Sequence, residues 1–120
     1  MSINNYREMI VWQKSMDLVV EVYRLLKHLP REEQFALTSQ IRRAVISIPS
    51  NIAEGQSRKS FKEFTNFLSI ARGSLAELET QLFICERLKY LSSEQIALPL
   101  RLSDEIGRIL TALISKFTKY

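Results

Sequence analysis

Residues 60–87 read SFKEFTNFLSIARGSLAELETQLFICER, and this stretch decides the fold. Ser60 followed three residues later by Glu63 is a capping box, in which the hydroxyl and the carboxylate each satisfy a free amide at a helix start. Behind it Phe64, Leu68, Ala71, Leu75, Leu78, Leu82 and Cys85 alternate spacings of four and three without a break. That is a heptad seam through three heptads. It predicts one helix of about 27 residues, roughly 40 Å long, with a single apolar edge that other helices must cover.

Three further helices are expected around it. N-terminal to the seam, 34–55 carries a core stripe at Thr38, Ile41, Val45, Ile48 and Ile52, with a first turn that can stand apart. Pro49 falls inside this pattern, removes the bond to the Val45 carbonyl and should bend the helix. Gly55 is placed to end it in the left-handed conformation. Before that, 11–27 offers Trp12, Met16, Val19, Val22, Tyr23 and Leu26 as a buried stripe, stopped by His28-Leu29-Pro30. C-terminal to the seam, Ser92 and Gln95 form a second capping box inside a Leu91–Ile96 hydrophobic staple. Leu102, Ile106, Ile109, Leu113 and Phe117 continue as the stripe of the last helix, whose early part Pro99 should kink or delay. Connections around Pro30, Ser57 and Ser92 are short, so consecutive helices should run antiparallel. The expected fold is all-α, an up-and-down antiparallel four-helix bundle forming one domain over 1–120.

Composition agrees. Of 120 residues 46% are hydrophobic and 25% charged, with three Gly and three Pro, too few for the tight turns of an all-β chain. One Cys precludes an internal disulfide framework and fits a reducing compartment. The opening MSINNYREMIVW has charge and no apolar run, and no stretch approaches the ~20 apolar residues of a membrane span. A cytoplasmic protein without membrane attachment is expected.

Chemistry is hard to find. One His and one Cys cannot build a tetrahedral metal site. His28 reads as a helix-end residue and Cys85 as a small core residue. The glycines at 55, 73 and 107 stand alone, so no phosphate-cradling loop is present. Glu77, Glu79 and Glu86 miss the phase of the seam, which leaves no inward carboxylate cluster. The expectation is a non-enzyme with no catalytic residues, cofactor or metal.

What remains is surface. Between Ile41 and Arg72 there are six basic residues against two acidic ones, so this segment alone carries a net +4, the charge of the whole chain. Arg42, Arg58, Lys59, Lys62 and Arg72 are therefore the candidate contacts to RNA or DNA, chiefly to phosphate. Phe61 is the one nearby ring that could stack on a base. Two further stripes accompany the core pattern. Asn66, Ser69, Gly73, Ala76 and Thr80 form a small-residue stripe on the third helix, where an exposed interior Gly costs ~1 kcal/mol. Gln40, Arg43, Ser47, Asn51 and Glu54 form a polar stripe on the second. Either both serve tight packing within one bundle, or they meet another subunit. The homo-oligomer is the preferred reading, and a protein-interaction scaffold contacting a partner protein through the same faces is the rival.

Several runs resemble a known family. Val11-Trp12-Gln13-Lys14, Leu37-Thr38-Ser39-Gln40-Ile41-Arg42-Arg43-Ala44 and Ser47-Ile48-Pro49-Ser50-Asn51-Ile52-Ala53-Glu54-Gly55 are similar to the bacterial 23S rRNA intervening-sequence proteins. Arg58, Ser60, Glu63-Phe64, Phe67-Leu68, Ile70-Ala71, Gly73-Ser74 and Glu77-Leu78 extend the likeness over nearly the whole chain. The resemblance implies a four-helix bundle assembled as a ring-like homopentamer. It also implies kinship with the accessory protein of diversity-generating retroelements, a basic pentamer that binds nucleic acid and a reverse transcriptase. The chain departs from the family pattern at Ala36 and Lys89, where the family often has Gly. Lys89 argues against a left-handed cap after the third helix.

Overall fold

The protein, described by a computed structural model over residues 5–119, is a bundle of four helices. They are α1 (Ile10–Leu26), α2 (Leu37–Gln56), α3 (Phe61–Arg87) and α4 (Ser93–Thr118), with single 3-10 turns at Tyr6–Glu8 and Arg31–Glu33. Met1–Asn4 and Tyr120, the ends of the expected 1–120 domain, lie outside the described residues. Each helix packs on its sequence neighbours, and α1 closes the square against α4. The pairs run antiparallel. Ser47 meets Ser74 and Gly55 meets Phe67 across α2 and α3, while Arg72 meets Thr111 and Glu79 meets Ser103 across α3 and α4. The 45 Å long axis is little more than the length of α3. No helix among the described residues is long and apolar enough to cross a membrane.

The seam of α3 is the centre of the core. Phe64, Leu68, Ala71, Leu75, Leu78, Leu82 and Cys85 are all buried, Ile41, Val45, Ile48 and Ile52 of α2 pack in the same cluster, and Thr38 is buried as well. Ser60 Oγ accepts from the Glu63 N–H at 3.1 Å, so the N-cap is present. Among the described residues the reciprocal arm of a capping box is made only in α4. There Ser92 Oγ accepts from the Gln95 N–H and the Ser92 N–H donates to Gln95 Oε1. Leu91 and Ile96, the staple around it, are both buried.

The outer helices are rotated from their expected phase. α1 buries Val11, Ser15, Leu18, Val22 and Leu26, whereas Trp12 and Val19 are half-buried and Met16 and Tyr23 exposed. Only Val22 and Leu26 belong to both sets. A serine at a core position disguised the true stripe. Ser15 Oγ donates to the Val11 carbonyl at 2.6 Å, which satisfies the hydroxyl inside the helix and makes the burial tolerable. In α4 a buried serine is satisfied across the interface instead: Ser103 donates to Glu79 Oε2 of α3. Leu110 replaces Ile109 at the centre, and Leu102, Leu113 and Phe117 pack at the margin. Pro49 and Pro99 both sit within their helices, and α4 begins at Ser93, so Pro99 does not delay it.

Two chain reversals depart from expectation. Gly55 is not a left-handed terminator: α2 continues to Gln56 and Gly55 is buried inside it. A Cβ at this position would lie 2.7 Å from Phe67 Cβ and 3.2 Å from the Phe64 carbonyl oxygen. Glycine is required because the backbones of α2 and α3 approach so closely. Conversely, the left-handed cap after α3 is present despite the lysine. Lys89 has φ 65, the Tyr90 N–H donates to the Cys85 carbonyl at 2.9 Å, and the Lys89 N–H donates to the Glu86 carbonyl. This is a Schellman motif, whose carbonyl pairing offsets the cost of the left-handed side chain.

These reversals generate opposite predictions. Lys89→Gly should stabilise the protein by about 1 kcal/mol, raising its thermal midpoint by a few degrees. Gly55→Ala should destabilise by about 1–3 kcal/mol, since the clash exceeds the gain in helix propensity. Paired thermal melts followed by circular dichroism check both signs.

Candidate nucleic-acid and subunit surfaces

The basic candidates do not form one patch. Arg58, Lys59 and Lys62 lie together at the α2–α3 turn. That turn is shaped by Ser57, whose Oγ donates to the Glu54 carbonyl, and by the Arg58 N–H, which donates to Gly55. Arg58 is partly committed: Nη2 is 2.8 Å from Glu54 Oε2, and the guanidinium stands 5.0 Å from the centre of the Phe67 ring. Lys59 and Lys62 are exposed, with no ion pair among the described residues. Arg42 sits on the α1 side, 5.8 Å from the centre of the Tyr23 ring, and Arg72 on the α4 side, its Nη1 3.4 Å from Thr111 Oγ1. The α1–α2 and α3–α4 flanks are opposite edges of the square, so Arg42 and Arg72 flank the bundle on different sides.

Phe61 is not a free platform. Its ring stacks on Phe117 at 5.0 Å between centroids and 15° between planes, and Phe64 meets Phe117 edge-on at 5.4 Å. This clasp holds the last turn of α4 against the start of α3. It also brings Lys116 and Lys119 to the same end of the bundle, residues that the charge count along the sequence passed over. An up-and-down topology implies that neighbourhood, because the second turn and the end of the fourth helix share one end.

The small-residue stripe of α3 lies on the surface. Asn66, Ser69, Gly73, Ala76 and Thr80 are all exposed, and a Cβ at Gly73 would meet nothing within 4 Å. Packing within the bundle therefore does not explain the glycine. The α2 stripe divides. Gln40, Arg43 and Glu54 are exposed, while Ser47 and Asn51 are half-buried and bonded within the chain. Ser47 Oγ shares a 2.8 Å hydrogen bond with Ser74 Oγ, and Asn51 Nδ2 donates to both the carbonyl and the hydroxyl of Ser47. Ser47 ties α2 to α3, and Asn51 braces Ser47 from within α2.

The rotation of α1 exposes a surface absent from the expectations. Ile10, Met16, Val20 and Tyr23 of α1 and Ile46 of α2 are exposed apolar side chains. Beside them, Tyr6, Trp12, Val19 and Pro49 help to line a groove of about 310 Å³. On the opposite flank a shallow groove of about 540 Å³ runs between α3 and α4, lined by the buried Leu75 and Ser103, the small Ala76, Gly107, Ala112 and Ser115, and the charged Arg72, Glu79, Asp104 and Arg108. One flank projects large apolar groups and the other is a trough of small residues.

Cys85 is buried on the seam, and burial, with the nearby Glu33 charge, pushes its thiol up to about 11. It is therefore overwhelmingly protonated, and so unreactive, at neutral pH. Among the described residues no three His, Cys, Asp or Glu side chains are grouped to hold a metal ion.

Comparison with known proteins gives the kinship. The sequence profile described as 23S rRNA-intervening sequence protein matches residues 7–112. A crystal structure of a protein of unknown function from the S23 ribosomal protein family of Bacteroides thetaiotaomicron superposes with a TM-score of 0.80 at 33% identity, covering 88% of this chain and 98% of that one. No curated protein matches the chain. A profile spanning all four helices, with a neighbour of the same fold along nearly its whole length, leaves one assignment: the chain belongs to the family of 23S rRNA-intervening sequence proteins.

Proposed function

We propose that this protein is a non-enzymatic homo-oligomer, a pentamer by family resemblance, that binds RNA or DNA through the basic end of each bundle. The observation that carries the binding half is a placement against the grain of helix electrostatics. Lys59 and Lys62 flank the first turn of α3, where free N–H groups and the helix dipole already make the potential positive. Cations there are repelled by the helix, and Glu63 is the acidic residue of that turn. Three basic side chains beside a helix start that has one capping hydroxyl and one carboxylate outnumber the local acid and suit a phosphate.

The oligomer half rests on the two flanks. A contiguous exposed apolar face marks an interaction surface, and here it has a counterpart of unlike shape on the opposite side of the same chain. Unlike surfaces that fit each other join copies head to tail, and such a contact gives a ring when its rotation closes. In this arrangement Met16, Val20 and Tyr23 of one copy enter the α3–α4 trough of the next, and Gly73 and Ala76 permit the close approach. Of the α2 stripe, Gln40, Arg43 and Glu54 remain free to contribute, while Ser47 and Asn51 act inside the chain. The protein-scaffold alternative uses the same apolar face for a different protein.

Lys59→Glu combined with Lys62→Glu should abolish binding to a structured RNA and to duplex DNA while leaving the helical circular dichroism unchanged. Tight binding by the double variant that persists at high salt would sink the reading. Gly73→Leu enters open space in the single chain, so its thermal midpoint should change little once dilution has dissociated the assembly. Sedimentation velocity should show it shifted toward a 14.0 kDa particle. An unchanged assembly would remove α3 from the contact and leave the scaffold reading in its place.

A further inference from the structure

Folding redistributes the charge that the sequence concentrates between residues 41 and 72. The chain has 17 basic and 13 acidic side chains. At the end where α2 turns into α3 stand Arg7, Arg58, Lys59, Lys62, Lys116 and Lys119 against Glu8, Glu54 and Glu63, a net of +3. At the other end Lys27, Arg31, Arg87 and Lys89 face Glu32, Glu33, Glu86 and Glu94 and cancel. Arg42, Arg43 and Arg72 fall between the two ends, where Lys14 and Arg108 are already paired with Glu105 and Asp104, and Arg24 in the last turn of α1 is paired with Glu21. The middle is left with +1. Three of the four net charges therefore sit at one end of a 45 Å rod.

We infer that the nucleic-acid site is composite: the last turn of α4 supplies Lys116 and Lys119 as a second phosphate-contacting pair beside Lys59 and Lys62. This rests on the binding half of the proposed function and extends it to a different helix. Both lysines are exposed and lie beyond the residues matched by the family profile, so the extension is a property of this chain. A cation in the last turn of a helix also complements the dipole, which by itself would account for Lys116 and Lys119. It does not account for their neighbours, because Lys59 and Lys62 occupy the dipole's positive end. Lys116 Nζ stands 5.3 Å from the centre of the Phe117 ring, and the four exposed lysines give this end a concentration of positive charge that a polyanion spanning both helices would neutralise. The Phe61–Phe117 stack fixes the spacing of the two pairs, so the site accepts a continuous run of phosphates more readily than an isolated ion. The ligand class is the phosphodiester backbone of a nucleic acid, read without base contacts. In a ring whose copies meet flank to flank, every such end lies on the same rim.

The test compares three double variants, Lys116→Ala/Lys119→Ala, Lys59→Ala/Lys62→Ala and, at the neutral end, Lys27→Ala/Arg87→Ala. Each binds a fluorescent 20-base-pair RNA hairpin, and separately the matching DNA hairpin, across a salt series. The α4 pair should weaken binding about tenfold or more at physiological salt. It should also lower the slope of log affinity against log salt by roughly 1.5–2, as should the α3 pair, while the neutral-end control stays at the wild-type value. Wild-type affinity and slope in the α4 variant, with loss in the α3 variant, would overturn the composite site and leave the proposed function standing. Equal losses in all three variants would overturn it as nonspecific charge, and no binding by the wild type to either hairpin would remove both. The RNA and DNA arms show which backbone is preferred.

Discussion

The close approach of α2 to α3 is the contact on which the rest of the structure depends. Gly55 has no room for a side chain, and its neighbours across the gap, Phe64 and Phe67, belong to the first two turns of α3. Because the backbones touch there, the turn between the helices is short and stiff, and the seam of α3 engages Ile41, Val45, Ile48 and Ile52 along its length. The Ser47–Ser74 hydrogen bond holds the same interface two turns further on. α1 and α4 then cover the remaining sides, joined to each other by the 2.8 Å Lys14–Glu105 pair. Everything attributed to function is a consequence of this geometry. The turn collects Arg58, Lys59 and Lys62, and Phe61 at its edge holds the end of α4 through Phe117.

The sequence disclosed these parts unevenly, for physical reasons. The core seam of α3 was legible because every one of its positions is apolar, whereas the left-handed cap at Lys89 was not. α1 was misread because apolar residues occupy more than one face, and the buried serine at 15 breaks the correct stripe while Trp12 and Tyr23 decorate the wrong one. Bulk suggests burial, yet a small hydroxyl bonded to its own helix is cheaper to bury than an aromatic group that finds no cavity. Gly55 and Lys89 exchanged the roles expected of them for a related reason. Whether a residue occupies left-handed backbone is set by the packing around the helix end, and the residue type only modulates its cost. In the candidate site, the trio at the α2–α3 turn was visible as local charge. Lys116 and Lys119 were not, because their proximity exists only after four helices have folded back on one another. Arg42 and Arg72 were grouped with the trio by sequence distance and are separated from it by the helix faces they occupy.

The division of labour over the surface follows from these placements. The flanks are unlike in relief, one projecting large apolar side chains and the other grooved and edged by charge, which suits contact between copies. One end is basic and the other neutral, which suits a polar arrangement of those copies with a single charged rim. In the interior the thiol of Cys85 is held protonated by burial, and the core residues Ser15 and Ser74 are bonded within the bundle.

The claim that copies of the chain assemble is tested most directly by the molar mass of the wild-type protein in solution, measured by light scattering over a dilution series with and without a short RNA hairpin. The expected result is a particle of several times 14.0 kDa that gains hairpin mass in a fixed ratio. A 14.0 kDa monomer at tens of micromolar, unchanged by the hairpin, would contradict it.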